Sequence, residues 1–215
     1  MPLPLVVLIS GTGSNLRAIH AAIEAGHCDA TICAVVSDRK DAAGLAFATD
    51  RGIPTRVVRM REYVTRAEWD EALTAVVHEF APELVVLAGF MRIVGSAFIS
   101  RFEHRTINVH PALLPAFPGV DGPAQAIAAG VTLSGCTVHL VDSGVDTGPI
   151  LAQAAVRVSS SDSAETLHRR IQVAEHQLLP RVIDSISRKQ IELGPRPRAV
   201  AIAQDDEIFF SLPER

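Results

Sequence analysis

Cysteine is scarce in this chain of 215 residues: there are three, Cys28, Cys33 and Cys136, and no Cys-x-x-Cys pair. The small, odd number favours buried, unpaired thiols in a reducing, cytoplasmic compartment. Histidine, cysteine and aspartate side chains are also not clustered at the spacing of metal ligands, so we expect no metal. None of the three cysteines lies in a context that supports a thiol nucleophile.

Positive charge and long apolar runs are equally scarce. Lys and Arg number 20 against 24 Asp and Glu, a net charge of −4, so no basic surface indicates nucleic acid or a membrane. The apolar run Leu3–Ile9 is short and leads directly into a glycine loop, which fits neither a signal peptide nor a spanning helix. The remaining composition, 48% hydrophobic and 20% charged, is that of an ordinary globular domain.

Aliphatic runs alternate with amphipathic segments, which predicts a single-domain α/β fold with a Rossmann-like, doubly wound, mostly parallel sheet. The predicted strands are Leu3–Ser10, Thr31–Ser37, Pro54–Val58, Glu83–Ala88, Arg105–Val109, Gly135–Val141 and Ile150–Val158. The predicted helices follow Asn15, to about Gly26, and cover Ala42–Asp50, Thr65–Phe80, Ala124–Ala129 and Ala164–Ser187. Within these, Ala67, Trp69, Leu73, Val76 and Val77 should face inward, and Pro180 should kink or break the last helix. No linker divides residues 1–215, which we interpret as one domain with halves at 1–105 and 106–190 and a tail at 191–215.

Asn108 and His110 are two residues apart at the end of a predicted strand, so both side chains project from one face. An amide donor beside an imidazole suits a carbonyl whose oxygen becomes negative during attack. Open α/β sheets place ligands at this carboxyl end of their strands. A carboxylate such as Asp146, in the glycine-rich loop Asp142–Pro149, would favour the cationic imidazole. Together, Asn108, His110 and Asp146 indicate acyl transfer, although an ordinary turn would also explain Asp146.

The loop Gly11–Asn15 joins a buried strand to a helix start. Glycines allow close approach of an anion, and free amides at the helix N-terminus favour phosphate. The loop lacks the Lys-Ser/Thr ending of a nucleoside-triphosphate loop and the third glycine of the dinucleotide fingerprint. It therefore suggests a simple phosphate, such as a monoester. A tight turn with Ser14 or Asn15 as helix cap is the structural alternative.

The segment Gly89–Val94 follows another predicted strand at its carboxyl end. Its Phe-Met-Arg-Ile sequence combines apolar surface with one cation, which suits a flat heteroaromatic ligand. Core packing with a solvated arginine explains the same residues without any ligand.

Four ordered segments together resemble the family of phosphoribosylglycinamide formyltransferases, the folate-dependent glycinamide ribonucleotide transformylases of purine synthesis. They are Ile9–Leu16, Ala88–Ile93, Asn108–Pro115 and Asp146–Pro149, and the resemblance covers nearly the whole chain. It implies a cytoplasmic enzyme, monomer or homodimer, that acts on small molecules and uses 10-formyltetrahydrofolate as co-substrate.

The resemblance also implies roles for individual residues. Asn108, His110 and Asp146 correspond to the catalytic trio, with the substrate amine attacking the formyl carbon directly while Asn108 and His110 stabilise the oxyanion. The residues implied in glycinamide ribonucleotide binding are Gly13, Ser14, Asn15, Gln172 and Glu175. The residues implied in folate binding are Arg66, Met91, Arg92, Ile93, Val94, Asn108, Val141 and Asp146.

One position departs from the family pattern, which usually has a histidine where this chain has Asp121. The departure keeps open a formyltransferase for another phosphorylated amine, such as a sugar nucleotide. Formyltetrahydrofolate deformylase and methionyl-tRNA formyltransferase share the catalytic segment, but we expect further domains in both and find none in this sequence. A non-catalytic nucleotide-binding module is the alternative outside enzymes, and the Asn108, His110 and Asp146 set argues against it.

Overall fold

The computed structural model describes residues 1–199, which form nine strands and six α-helices. The strands are β1 (Leu3–Ile9), β2 (Ala30–Ser37), β3 (Thr55–Val57), β4 (Leu84–Leu87), β5 (Thr106–His110), β6 (Leu133–Leu140), β7 (Ile150–Arg157), β8 (Ile191–Glu192) and β9 (Arg198–Ala199). The helices are α1 (Ser14–Glu24), α2 (Ala43–Thr49), α3 (Arg66–Glu79), α4 (Ser96–Arg101), α5 (Gly122–Ala129) and α6 (Ala164–Ser187), and a 3₁₀ turn covers Met60–Glu62.

Seven strands form one sheet in the order β3-β2-β1-β4-β5-β6-β7. β1 runs parallel to both β2 and β4, β2 runs parallel to β3, and only the β6–β7 pair is identified as antiparallel. The order reverses direction between β1 and β4, as in doubly wound sheets. The predicted fold class, a single-domain, mostly parallel α/β sheet, is therefore confirmed. Within it the chain forms two compact units, Met1–Ile107 and the part from Asn108 onward.

The core of the first unit is built on β1, because Leu5 to Ile9 are completely buried. A strand with apolar residues on both faces can pack helices on both sides, which is why its sequence is a continuous aliphatic run rather than an alternating one. β2 repeats the pattern with Ala34, Val35 and Val36. These two strands therefore hold the loops at their carboxyl ends on a rigid base.

Helix α3 buries Trp69, Leu73 and Val77, as its periodicity predicts, but Ala67 is exposed and Val76 only half-buried. The prediction was wrong for Ala67 because it lies in the first turn, where Thr65 caps the helix by accepting the N–H of Glu68.

The same face of α3 buries a carboxylate, Asp70, whose oxygens accept the N–H groups of Gly95 and Phe98 at 2.5 and 3.2 Å. These donors belong to the start of α4, a helix that the sequence pattern did not indicate. Since α4 has no cap of its own at Gly95, a side chain from another helix satisfies its free amides.

The second unit pairs β6 and β7 as an antiparallel hairpin and packs α6 against both strands. A capping box between Ser163 and Thr166 begins α6. The helix then continues through Pro180, which is buried, so of the predicted kink or break the break is wrong and the kink stays a prediction. The long apolar face of α6 stabilises the helix more than the missing amide of one proline destabilises it.

Cys28 and Cys136 are buried and Cys33 is half-buried, so the expectation of buried thiols was wrong for Cys33. β8 and β9 form a two-stranded antiparallel sheet at the start of the predicted tail. The rest of that tail, residues 200–215, lies outside the described residues.

Candidate active site

The imidazole of His110 and the carboxylate of Asp146 face each other across 3.4 Å, from Nδ1 to Oδ2. His110 ends β5 and is buried, while Asp146 lies in the loop between β6 and β7. The two residues are 36 positions apart in the chain, and sequence spacing alone does not show this contact. The turn explanation for Asp146 is therefore incomplete, since its side chain reaches a buried histidine.

Asp146 is held in a left-handed backbone conformation, with φ at 54°. An aspartate tolerates this region only at a cost, so the loop is built to aim this side chain. Its Oδ2 also accepts the N–H of Gly119 at 2.8 Å. Burial opposes ionisation, but the hydrogen bonds from His139 and Gly119 and the charges of His110 and His139 together lower the pKa of Asp146. The carboxylate is therefore ionised at neutral pH.

The second nitrogen of His110, Nε2, lies 2.8 Å from the carbonyl oxygen of Phe117. A carbonyl only accepts, so Nε2 carries a proton. With an ionised carboxylate at Nδ1 and a carbonyl at Nε2, both ring nitrogens face acceptors. The ring of His110 is therefore held by one acceptor at each nitrogen.

Asn108 and His139 complete the cluster on the same side of β5 and β6. The Asn108 amide nitrogen lies 3.2 Å from Nε2 of His139 and 3.5 Å from Oδ1 of Asp146. Nδ1 of His139 lies 2.8 Å from the carbonyl oxygen of Leu140, so it carries a proton in either ring state. A neutral His139 then accepts an N–H from Asn108, and a cationic one donates to Asp146, 3.5 Å away.

The glycine loop of the first unit has the geometry of a helix start without a side-chain cap. Gly13 is the N-cap of α1 at φ 70°, and a glycine has no side chain that could accept the first amides of the helix. The alternative in which Ser14 or Asn15 caps the helix is therefore wrong. A Cβ on Gly13 would lie 2.9 Å from the Cα of Gly44, so glycine is required for this close packing. The amides at Ser14 and Asn15 suit an anion.

The Gly89–Val94 loop exposes two of its apolar side chains, Met91 by 75% and Ile93 by 61%. Core packing does not explain these residues. Val94, by contrast, is buried, and the Arg92 guanidinium donates from Nε to Oδ2 of Asp38 at 2.8 Å. The arginine is therefore an ion-pair partner rather than a freely solvated cation.

Arg66 approaches the same loop from α3. Its guanidinium donates to the carbonyl of Ile93 and stacks over the Trp69 ring, 5.0 Å from the centroid. The backbone of the loop is thus bound by a cation, while its apolar side chains remain exposed.

Gln172 and Glu175 lie three residues apart on α6, so they share one face of the helix. Glu175 is buried and Gln172 half-buried. Burial and the charge of Glu175 raise the pKa of Cys136 to about 12, so this thiol stays protonated and unreactive. Val141, directly after β6, is half-buried.

Asp121, the position that departs from the family pattern, is the N-cap of α5. It adopts φ 60° and accepts the N–H of Ala124 at 3.4 Å. Its side chain is exposed. The presence of aspartate at position 121 thus has a local structural explanation, because aspartate is a strong capping residue that tolerates the left-handed conformation.

Two residues of these clusters were missed from the sequence. The sequence did not indicate either His139 or Asp38 as a site residue. Both lie at the carboxyl ends of sheet strands, His139 within β6 and Asp38 directly after β2. A search for every polar residue at such a strand end would have identified them.

Among residues 1–199, no group of three or more His, Cys, Asp or Glu side chains is arranged to hold a metal ion. Over the same residues, none of the helices is both long and apolar enough to span a bilayer.

A doubly wound sheet with an Asn–His–Asp cluster at a strand end defines a class of group-transfer enzyme. Residues 3–183 match the formyl transferase family, and the chain belongs to it. It is 50% identical over 187 residues to the phosphoribosylglycinamide formyltransferase of Mycobacterium tuberculosis, covering 86% of each chain. The Bacillus subtilis protein of that name is 38% identical, over 84% of this chain and 92% of its own.

Solved structures give the same similarity. The crystal structure of glycinamide ribonucleotide transformylase 1 from Symbiobacterium toebii matches with a TM-score of 0.90 and 40% identity, over 93% of this chain and 95% of that one.

Proposed function

We propose that this protein transfers the formyl group of 10-formyltetrahydrofolate to the primary amine of glycinamide ribonucleotide, a step of purine biosynthesis. The carrying observation is the buried His110–Asp146 pair at 3.4 Å with the Asn108 amide beside it. The relatives named phosphoribosylglycinamide formyltransferase, up to 50% identical, support the substrate.

In the proposed reaction the neutral amine attacks the formyl carbon and forms a new N–C bond. The carbonyl oxygen becomes negative, and the bond between the carbon and N10 of the folate then breaks. The amine loses one proton and N10 gains one, so the products are the formamide and tetrahydrofolate. Apposition of the two substrates supplies part of the acceleration, because a bimolecular step becomes effectively unimolecular.

Asn108 suits the oxyanion because one of its N–H groups is weakly engaged. When His139 is neutral, one N–H serves its Nε2 at 3.2 Å, while the other reaches Asp146 only at 3.5 Å, the weak limit of a hydrogen bond. This second N–H can turn to a stronger acceptor as charge develops.

His110 is proposed as the cationic donor and proton carrier. Its imidazolium is favoured by the acceptors at both nitrogens, Asp146 at Nδ1 and the Phe117 carbonyl at Nε2. For the reaction, the Nε2–H exchanges the Phe117 carbonyl for the substrate oxygen. Asp146 keeps its charge and balances the cation, and it does not attack the substrate.

For the amine substrate we propose that the α1 amides around Gly13, Ser14 and Asn15 bind the phosphate. The absence of a side-chain cap at this helix start supports the assignment. Gln172 and Glu175 would contact the rest of that substrate from one face of α6.

For the folate we propose that Met91 and Ile93 supply apolar contacts to the pterin, as their exposure supports. The backbone around Arg92 and Val94, together with Val141, Asn108 and Asp146, would provide further contacts, and Arg66 would meet the anionic tail. Cys28, Cys33 and Cys136 are thiols rather than disulfides, which supports a cytoplasmic location.

The test is a turnover assay with purified protein and 10-formyltetrahydrofolate, with and without glycinamide ribonucleotide. We expect tetrahydrofolate to form only when the amine is present. Folate turnover without the amine would instead identify a deformylase. Absence of turnover under both conditions would overturn the enzymatic proposal.

A further inference from the structure

Asp38 is a buried carboxylate for which the proposed reaction gives no direct use. Its side chain is 2% exposed and lies directly after β2. One oxygen accepts the hydroxyl of Ser10 at 2.6 Å, and the other accepts Nε of Arg92 at 2.8 Å. A buried ionised group is costly unless its partners are well placed, so the arrangement calls for an explanation beyond packing.

Ser10 connects this carboxylate to the backbone of the Gly89–Val94 loop. Its hydroxyl oxygen accepts the N–H of Met91 at 2.8 Å, and its own N–H donates to the carbonyl of Gly89 at 3.0 Å. Asp38, Ser10, Met91 and Arg92 therefore form a closed ring of interactions. The ring holds the first half of the loop through both its backbone and its one charged side chain.

The second half of the loop is held from α3. Arg66 donates to the Ile93 carbonyl, and Asp70 accepts the N–H of Gly95 at 2.5 Å. Every side chain that holds the loop thus acts on its backbone or on Arg92. Met91 and Ile93 are left exposed, which is unfavourable for large apolar groups unless a ligand covers them.

We propose that Asp38 is a positioning residue for the folate: through Ser10 and Arg92 it fixes the Gly89–Val94 loop so that Met91 and Ile93 are already placed for the pterin. The proposal rests on the proposed function, since it names a residue that prepares one of its two substrate sites. Asp38 itself touches neither substrate. Its contribution is preorganisation, which removes from binding the cost of ordering the loop.

The test compares Asp38→Asn, Arg92→Met and the double variant with wild type. Binding of a non-reactive 10-formyl folate analogue is measured by calorimetry, and turnover by KM and kcat for each substrate. We expect each variant to bind the folate about tenfold more weakly, because ordering the loop then opposes binding. For Asp38→Asn we expect kcat at saturating folate and KM for the amine to change little. The double variant should lose no more than either single one, since all three break the same ring.

The matched control is Asp41→Asn, a carboxylate three positions away that is exposed and pairs only with Arg39, at 3.3 Å. It should leave folate affinity unchanged. If a single variant is too unstable to purify because it leaves a buried charge unpaired, the double variant, which leaves none, carries the test.

Trp69, the single tryptophan of the chain, gives a second readout. Its ring is stacked with Phe90 of the loop, with centroids 6.5 Å apart and planes 9° from parallel. Its fluorescence should change in the Asp38 and Arg92 variants and not in Asp41→Asn. Wild-type folate affinity in all the variants would overturn the role of Asp38. Failure of the wild type itself to bind the folate analogue would overturn the proposed function instead.

Discussion

Nδ1 of His110 and Oδ2 of Asp146 are 3.4 Å apart in a part of the structure where both side chains are largely shielded from water. The pair keeps opposite charges close together, and each charge has a second partner, the Phe117 carbonyl for His110 and the Gly119 amide for Asp146. The ring of His110 and the carboxylate of Asp146 are therefore both fixed in place.

Asp146→Asn should lower kcat roughly 100-fold or more, because a neutral amide no longer stabilises the imidazolium that serves as general acid. The folate and amine dissociation constants should change much less. Steady-state kinetics and binding titrations of both substrates would measure this difference. The control is Glu165→Gln, because Glu165 is an exposed carboxylate that lies 3.9 Å from Arg169. A kinetically silent Asp146→Asn would contradict the proposed pairing.

The lowered pKa of Asp146 also predicts a pH dependence of stability. Because the folded protein favours the ionised carboxylate more than the unfolded chain does, its contribution is complete above the ordinary value of 3.8 and is lost as pH falls through the lower folded value. The wild type should thus have a larger free energy of unfolding than Asp146→Asn at about pH 5. The difference between the two proteins should be smaller at about pH 3. Urea unfolding at both values would show this, and a pH-independent difference would refute it.

The strand positions of the fold could be predicted from sequence because they depend on local composition. β1 is a run of aliphatic residues, and the two-residue spacing of Asn108 and His110 places both on one strand face wherever that strand lies. The glycine loop at the start of α1 was recognisable for the same reason, since Gly13 and the helix after it are consecutive in the chain.

Contacts between residues far apart in the chain could not be predicted from local composition. Arg92 and Asp38 are separated by 54 positions, and Asn108 and His139 by 31. No periodicity links such residues, so neither the ion pair of Arg92 with Asp38 nor the contact of His139 with Asn108 followed from the sequence. Helix α4 was missed because its cap comes from Asp70, 25 residues before Gly95, and not from its own first turn.

His139→Leu should lower kcat about tenfold, less than His110→Ala, because His139 orients Asn108 and Asp146 without meeting the reacting atoms. Neither KM should change by much. His20→Leu serves as the control, since that histidine packs edge-on against Phe47, with ring centroids 5.4 Å apart, outside the cluster. A loss in His139→Leu equal to that of His110→Ala would indicate instead that His139 takes part in proton transfer.

Gly119→Ala tests whether the position of the Gly119 amide matters for the Asp146 carboxylate. Gly119 has φ 83°, and no atom lies within 4 Å of the place that a Cβ would occupy, so the change adds backbone strain of about 1–2 kcal/mol and no clash. Gly52→Ala is the matched control, with φ 69° and equally open space, in a turn of the first unit. Both should lower the free energy of unfolding alike, but only Gly119→Ala should reduce kcat, because strain at this residue shifts the N–H that binds Asp146. Equal kcat values for the two variants would show that kcat does not depend on the position of this amide.

Variants of Asp121 distinguish two explanations of why this chain has an aspartate where the family usually has a histidine: a structural one and a substrate-binding one. Asp121 is the N-cap of α5 at φ 60°, so Asp121→Ala should lower the free energy of unfolding by about 1 kcal/mol. Asp121→Asn should keep both the cap and the left-handed conformation. Asp121→Asn should therefore leave stability and the KM for glycinamide ribonucleotide near wild type, and thermal unfolding with initial-rate kinetics would measure both. A large rise in that KM for Asp121→Asn, with stability intact, would mean that the charge of Asp121 acts on the amine substrate, because the cap is preserved and only the charge is removed.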